Sequence, residues 1–277
     1  MLKQRIITAL LIAPLGIGCL FYLSDPGFSL FIAIVIGVCG WEWGNFARLG
    51  YWLRIGYGVL TGVLLLLTGV LLLKYAELQL ELVASLWWLT ALFLVVNYPR
   101  LTGFWNSPAV ILLCGWLVLI PCGVVLIAIK KLPESDFLFV LLLFLIWSAD
   151  IGAYFCGRAW GKNKLLVAVS PGKSREGLYG GACVAVVIGL STAIGLGGLT
   201  TTLGLPMVYF SFACLSVVLV SVLGDLTVSM FKRERGIKDS SQLLPGHGGF
   251  LDRLDSLFSA APVFFLLLPV LMKGSVQ

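Results

Sequence analysis

PAVILLCGWLVLIPCGVVLIAI, residues 108–129, is a run of 22 residues without a single charged side chain. At 1.5 Å of rise per residue, about 20 apolar residues in a helix cross the roughly 30 Å hydrocarbon core of a bilayer. A helix also satisfies its own backbone N–H and C=O groups, which lipid cannot do. The stretch therefore reads as a transmembrane helix. Working outward from it, comparable runs lie at 6–24, 28–47, 56–74 and 81–98 on one side and at 136–156, 177–198, 206–230 and 256–272 on the other. The expected fold is an all-α polytopic integral membrane protein with about nine transmembrane helices. The first run follows Lys3 and Arg5 as a signal peptide would, but it continues past Cys19 without a small-residue cleavage pattern and a second span follows directly, so it is read as a mature helix.

Composition agrees. Of 277 residues, 60% are hydrophobic and 12% charged, against roughly 45–50% and about 25% in soluble domains. A water-soluble globule is excluded. The net charge of +6 comes from short clusters between long uncharged runs, so it speaks for membrane topology and against nucleic-acid binding. The seven cysteines form no C-x-x-C pair, lie in apolar stretches and are odd in number, which excludes a zinc site or disulfide framework and leaves small core residues.

With the N-terminus inside, fifteen Lys and Arg fall in cytoplasmic segments and four outside, a bias that fixes a cytoplasmic N-terminus and an outside C-terminus. Two polar, Gly-containing cytoplasmic loops, 157–176 and 231–255, then become the place to look for chemistry. The chain divides into N-terminal membrane helices, residues 1–107 with about four spans, and a C-terminal catalytic membrane region, residues 108–277.

An acid inside a span costs roughly 2.5–3.5 kcal/mol on insertion scales, so each is a functional candidate. Glu42, between Trp41 and Trp43, reads as structural, paired with a neighbouring Arg. Asp150, Tyr154 and Arg158 share one helical stripe ending at the cytoplasmic face, either as an internal ion pair or as part of a site. Asp225, Ser229 and Lys232 share another at i, i+4, i+7; a carboxylate, a hydroxyl and an ammonium near water suit a metal and a phosphate.

The first loop holds Ser170-Pro171-Gly172-Lys173-Ser174-Arg175-Glu176-Gly177. A P-loop is rejected, because Val167 stands where that motif needs its first glycine and no strand is expected before it. What remains is a basic, hydroxyl-rich segment opening a helix, suited to phosphate oxygens or basic from topology alone. The second loop carries the one histidine, His247, among Gly246, Gly248 and Gly249, followed by Asp252-Arg253-Leu254-Asp255. Mg²⁺ is held by one or two carboxylates plus substrate phosphates. Asp225 and Asp252, at the cytoplasmic ends of spans eight and nine, would make such a metal-and-phosphate site at the membrane surface.

Residues 229–255, with Ser229-x-Phe231-Lys232-Arg233, Lys238-Asp239-x-Ser241 and Leu244-Pro245-x-His247-Gly248-Gly249-Phe250-Leu251-Asp252-Arg253-Leu254-Asp255, resemble the signature of phosphatidate cytidylyltransferases, also called CDP-diacylglycerol synthases. The likeness extends to Gly224-Asp225, to 170–177 and to Asp150-x-Gly152-Ala153-Tyr154. Ile151 and Ser174 depart from it, each standing where the family often has Thr.

The resemblance implies CTP + phosphatidate → CDP-diacylglycerol + pyrophosphate in the bacterial plasma membrane, by a homodimer using Mg²⁺ and, as a second ion, a monovalent cation such as K⁺. Asp225 and Asp252 would ligate metal. Lys232, Arg233, Lys238 and Arg253 would neutralise the triphosphate or the lipid phosphate, and Ser170, Lys173, Ser174 and Arg175 would hold one phosphate group. His247 is either a phosphate donor or a proton carrier. Asp239 and Asp255 either ligate a second ion or orient the basic residues, and Ser229, Asp150 and Tyr154 join the substrate-binding set. The rivals are another CTP-using membrane enzyme such as a polyprenol kinase, an ion-coupled transporter and a scaffold. A transporter would show repeated halves and broken midplane helices, whereas the polar groups here gather at one face.

Overall fold

A computed structural model describes residues 14–75, 77–195 and 205–272. The quoted stretch becomes one helix, Pro108–Lys130, started by the Ser107 side chain accepting from the Val110 amide and by proline in the first turn, where its missing N–H costs nothing. In chain order the elements are α1 (Asp25–Phe46), α2 (Tyr51–Tyr75), α3 (Glu77–Val96), the short α4 (Thr102–Trp105), α5 (Pro108–Lys130) and α6 (Ser135–Trp160). A hairpin of β1 (Lys164–Leu166) and β2 (Ser170–Ser174) follows, then α7 (Arg175–Gly195), α8 (Leu205–Arg235), α9 (Leu251–Leu266) and α10 (Leu268–Met272).

Six helices among the described residues are long and apolar enough to cross a membrane: Asp25–Phe46, Tyr51–Gly69, Pro108–Lys130, Ser135–Trp160, Arg175–Gly195 and Met207–Arg235. The protein is a polytopic membrane protein built of helices. The expected first span, 6–24, lies largely outside the described residues; its described part, 14–22, is helical. The expected fourth span overlaps the shorter apolar helix Val83–Val96. The ninth is divided between α9 and α10, and Pro269, with no N–H to give to the preceding turn, explains the interruption.

Both loops are shorter than the sequence suggests. α6 runs on to Trp160, and the first loop is largely an antiparallel hairpin in which Lys164 faces Ser174 and Leu166 faces Ser170. α8 runs on to Arg235, ending where Gly236 takes φ +76°. The Ile237 amide then donates to the Lys232 carbonyl and the Gly236 amide to that of Arg233, a Schellman closure that favours glycine at this position.

α6 and α7 touch along a seam of glycines: a Cβ on Gly181 would lie 2.5 Å from the Ala149 carbonyl oxygen, and one on Gly152 would lie 3.0 Å from the Gly181 Cα. Likewise, a Cβ on Gly224 would strike the Ser259 hydroxyl and the Asp255 carbonyl, so α8 and α9 are in backbone contact beside Asp225. The buried core joins α1, α5, α6, α8 and α9, with Trp43, Phe28, Phe139, Phe210, Phe231 and Phe258 fully enclosed.

Candidate active site

The i, i+4, i+7 stripe on α8 is present, but its members do not pair as a closed set. Ser229 Oγ donates to Asp225 Oδ1 at 3.1 Å. The other oxygen of Asp225 meets Lys173 Nζ from β2 at 2.6 Å. Lys232 Nζ reaches instead to Asp252 Oδ1 in the first turn of α9, at 2.8 Å. The remaining oxygen of Asp252 accepts from Ser240 N at 2.8 Å, Ser240 Oγ at 3.0 Å and Gly249 N at 3.0 Å. Among the described residues these are the two ion pairs, and both proposed metal ligands are in them.

The pairs differ in burial. The side chains of Lys232 and Asp252 are 10% and 6% exposed, those of Lys173 and Asp225 28% and 26%. Lys232 also lies within the electrostatic reach of Asp225 and of Asp255, and Lys173 within that of Asp150. Four elements, α6, β2, α8 and α9, thus bring Asp150, Lys173, Asp225, Lys232, Asp252 and Asp255 to one place. The Asp255 carboxylate accepts from its neighbour, Ser256 N, at 2.8 Å.

Two cavities meet there, and Asp150 lines both. The first, about 390 Å³, is bounded by Tyr154, Arg158, Lys173, Ser174 and the glycine seam of α6 and α7. Arg158 Nη1 donates to the Tyr154 hydroxyl at 3.3 Å, so the expected α6 stripe is held by that bond and not by an ion pair with Asp150. The second, about 500 Å³, has His247, Asp252, Arg253 and Asp255 among its polar lining and Phe31, Ile36, Leu126, Phe139 and Leu142 among its apolar lining. Asp225 and Lys232 line neither; each stands behind the ion-pair partner that does.

Other sequence candidates are placed differently. The Ser174 hydroxyl, buried, accepts from the Gly177 amide and so caps α7. Ser170, Arg175, Arg233, Lys238 and Asp239 line neither cavity. Arg233 Nε donates to the Val169 carbonyl at 3.2 Å, fastening the hairpin to α8. Arg253 donates to the His247 carbonyl, and Gly246 and Gly248, at φ +80° and +83°, let this segment turn back on Leu244.

Glu42 overturns its expected pairing with an arginine. Arg54 lies over the Trp41 ring at 4.3 Å and donates to the Trp41 carbonyl. Fully buried, the Glu42 carboxylate accepts from Phe250 N, Leu251 N, Ser240 Oγ and Ser241 Oγ. Its partners lie some two hundred residues away, and the sequence signal for it was only an acid inside an apolar run.

Carboxylate oxygens suit a hard cation. Each of Asp225 and Asp252 has one oxygen oriented by uncharged donors and the other against a lysine ammonium, which stands where a cation would sit. No three His, Cys, Asp or Glu side chains among the described residues form a ready cage.

Residues 3–271 match the model of the Cytidylyltransferase family. A phosphatidate cytidylyltransferase of Pseudomonas aeruginosa is 46% identical over 273 residues, 97% of each chain. That of Haemophilus influenzae is 41% identical over 288 residues, covering 95% of this chain and 97% of its own. That of Brucella suis is 36% identical over 278 residues, covering 96% and 92%.

Proposed function

The chain belongs to the cytidylyltransferase family and carries out CTP + phosphatidate → CDP-diacylglycerol + pyrophosphate, and we propose that it does so where the two cavities meet at Asp150, between Lys173, Asp225, Lys232 and Asp252. The observation that carries this placement is the larger cavity, whose lining joins charged groups at the start of α9 to apolar side chains of α1, α5 and α6. A substrate with a phosphate head and acyl chains needs both surfaces at once.

A phosphate oxygen of phosphatidate, ionised near neutral pH, attacks the α-phosphorus of CTP. The new P–O bond forms as the bond to the β-phosphate oxygen breaks, and pyrophosphate leaves with its electron pair. No strong base is required, so catalysis rests on positioning and charge neutralisation. Lys173 exchanges Asp225 for a substrate phosphate, and Arg158, Arg253 and Lys232 add positive charge around the transferred group. His247 donates to phosphate or carries a proton beside Arg253. Asp225 and Asp252 would hold Mg²⁺, which when bound neutralises phosphate charge and orients the phosphates for in-line displacement; a second, monovalent ion such as K⁺ would be held beside Asp255. Arg233, Lys238 and Asp239 sit outside the cavities and act, in this reading, on the approach of CTP, as do Ser170 and Arg175, while Ser229 and Tyr154 orient Asp225 and Arg158.

The proposal includes nine spans, an inside N-terminus, a cytoplasm-facing site in the bacterial plasma membrane, catalysis by residues 108–277 on a support of 1–107, and a homodimer. The test is turnover of purified protein with CTP labelled separately at the α and γ positions. Lipid labelled from the α position, with pyrophosphate released only when phosphatidate and Mg²⁺ are both present, is expected. Lipid labelled from the γ position, or none, would overturn it.

A further inference from the structure

Glu42 sits on α1, in the half of the chain with little loop chemistry, yet it is fully buried against the loop that carries His247. Oε1 takes the Phe250 amide at 2.9 Å and the Ser241 hydroxyl; Oε2 takes the Leu251 amide at 2.6 Å and the Ser240 hydroxyl at 3.1 Å. Both ends of the 240–251 segment are therefore fastened to one side chain. The two amides are those that open α9, so the carboxylate also lies at the positive end of that helix. Ser240 is shared: its hydroxyl reaches both Glu42 and Asp252. Gly249 completes the packing, since a Cβ there would lie 2.8 Å from both Glu42 oxygens and would strike the Ser240 hydroxyl.

We propose that Glu42 is a positioning residue for the cytidylyl-transfer site, acting through Ser240 and the first turn of α9 to set Asp252, its ion pair with Lys232, and the His247–Arg253 segment. This rests on the placement of the site argued above. Fixing the opening amides of α9 fixes the orientation of Asp252, which is one residue further on, and a displacement of about 1 Å in such a group costs on the order of 10²-fold in rate.

The arrangement makes the carboxylate irreplaceable by its amide. Each oxygen accepts one backbone N–H and faces one serine hydroxyl, the single proton of Ser240 being shared with Asp252. Serine hydroxyls can rotate to accept, but a backbone N–H cannot. In either orientation, a glutamine at 42 would set its NH₂ against the Phe250 or the Leu251 amide, donor facing donor. Glu42→Gln should lower kcat by about 10- to 100-fold, the range seen when outer-shell partners of a site are removed.

The test pairs turnover with hydrogen exchange, in detergent, of peptides covering 236–251 and, as a reference, 108–130. For Glu42→Gln, faster exchange confined to 236–251 together with the loss of kcat is expected. Gly249→Ala, which leaves Glu42 in place and wedges the network apart, should reproduce both effects and decides the matter if Glu42→Gln fails to fold. Unchanged loop exchange in both variants would overturn the anchor itself. Faster loop exchange with full turnover would overturn positioning and would also remove this loop from the site, an outcome distinct from failure of the labelled-CTP assay on the unaltered protein.

Discussion

The two ion pairs invite opposite expectations, and Lys232→Met against Lys173→Met separates them. For Lys232 and Asp252 at 2.8 Å, Coulomb's law with an effective dielectric of about 20 gives a gross attraction of roughly 6 kcal/mol, set against the desolvation of both groups. Removing one partner of a buried pair costs about 3–5 kcal/mol, because the other charge is left without compensation. Asp252 keeps two backbone donors, Ser240 N and Gly249 N, and shares the single Ser240 hydroxyl proton with Glu42, so the loss should fall near the lower end, about 3 kcal/mol. The Lys173–Asp225 pair has more than twice the exposure and should contribute about 1 kcal/mol or less. An SDS titration of the solubilised protein, followed by the fluorescence of its nine tryptophans, should then show Lys232→Met unfolding much earlier and Lys173→Met close to the parent. Adding Asp252→Asn to Lys232→Met should restore part of the lost stability, since the stranded charge goes with it. Turnover should instead fall roughly 10²-fold in Lys173→Met, the scale of a lost charge-stabilising donor. Equal destabilisation by the two single variants, or none by Lys232→Met, would refute the assignment of one pair to architecture and the other to exchange with substrate.

Ser174→Ala should cost about 1 kcal/mol in the same titration, as for a lost helix cap, while lowering turnover far less than Lys173→Met does. Gly181→Leu, whose Cβ would press on the Ala149 carbonyl at 2.5 Å, should lose about 1–3 kcal/mol or more from overpacking and lower turnover by parting Asp150 from Lys173. Chelation of divalent cations should abolish turnover reversibly, with Mg²⁺ restoring it and with no shift of the unfolding midpoint in the absence of CTP, because the lysines already compensate the acids. Asp252→Asn should abolish turnover while leaving membrane insertion intact, checked by the yield from the membrane fraction.

Where the determinant is local, the sequence is legible. Twenty-two uncharged residues have few alternatives to a membrane helix, and Pro108–Lys130 follows the run almost residue for residue. Helical spacing likewise places Asp225, Ser229 and Lys232 on one face of α8, and the Asp225–Ser229 hydrogen bond bears that out. The hairpin within 157–176 was hidden by its length: three and five residues carry too little periodicity to register. Ser174 shows another limit, since a hydroxyl ahead of a helix reads equally as a cap or as a phosphate ligand. Glu42 was opaque for a different reason. Its partners are two backbone amides and two serines some two hundred positions away, and backbone donors have no residue identity for a sequence to display.

Choice of partner is the part that neither periodicity nor composition conveys, and it determines how the acids are stored. Asp225 and Lys232 stand two turns apart on one helix, but each pairs with a residue of another element. Had they satisfied each other, α8 would be joined to the hairpin through Arg233 without an ion pair and would lose its ion pair to α9. Cross-pairing offsets the cost of an acid within the membrane and makes each ion pair a fastening: Asp225 draws the hairpin to α8 through Lys173, and Lys232 draws the start of α9 to it through Asp252. On the proposed placement of the site, the more exposed fastening is the weaker one, so an incoming phosphate would take Lys173 from Asp225 without loosening α9, whereas the Lys232–Asp252 pair, backed by Ser240 and Glu42, would keep the start of α9 in place.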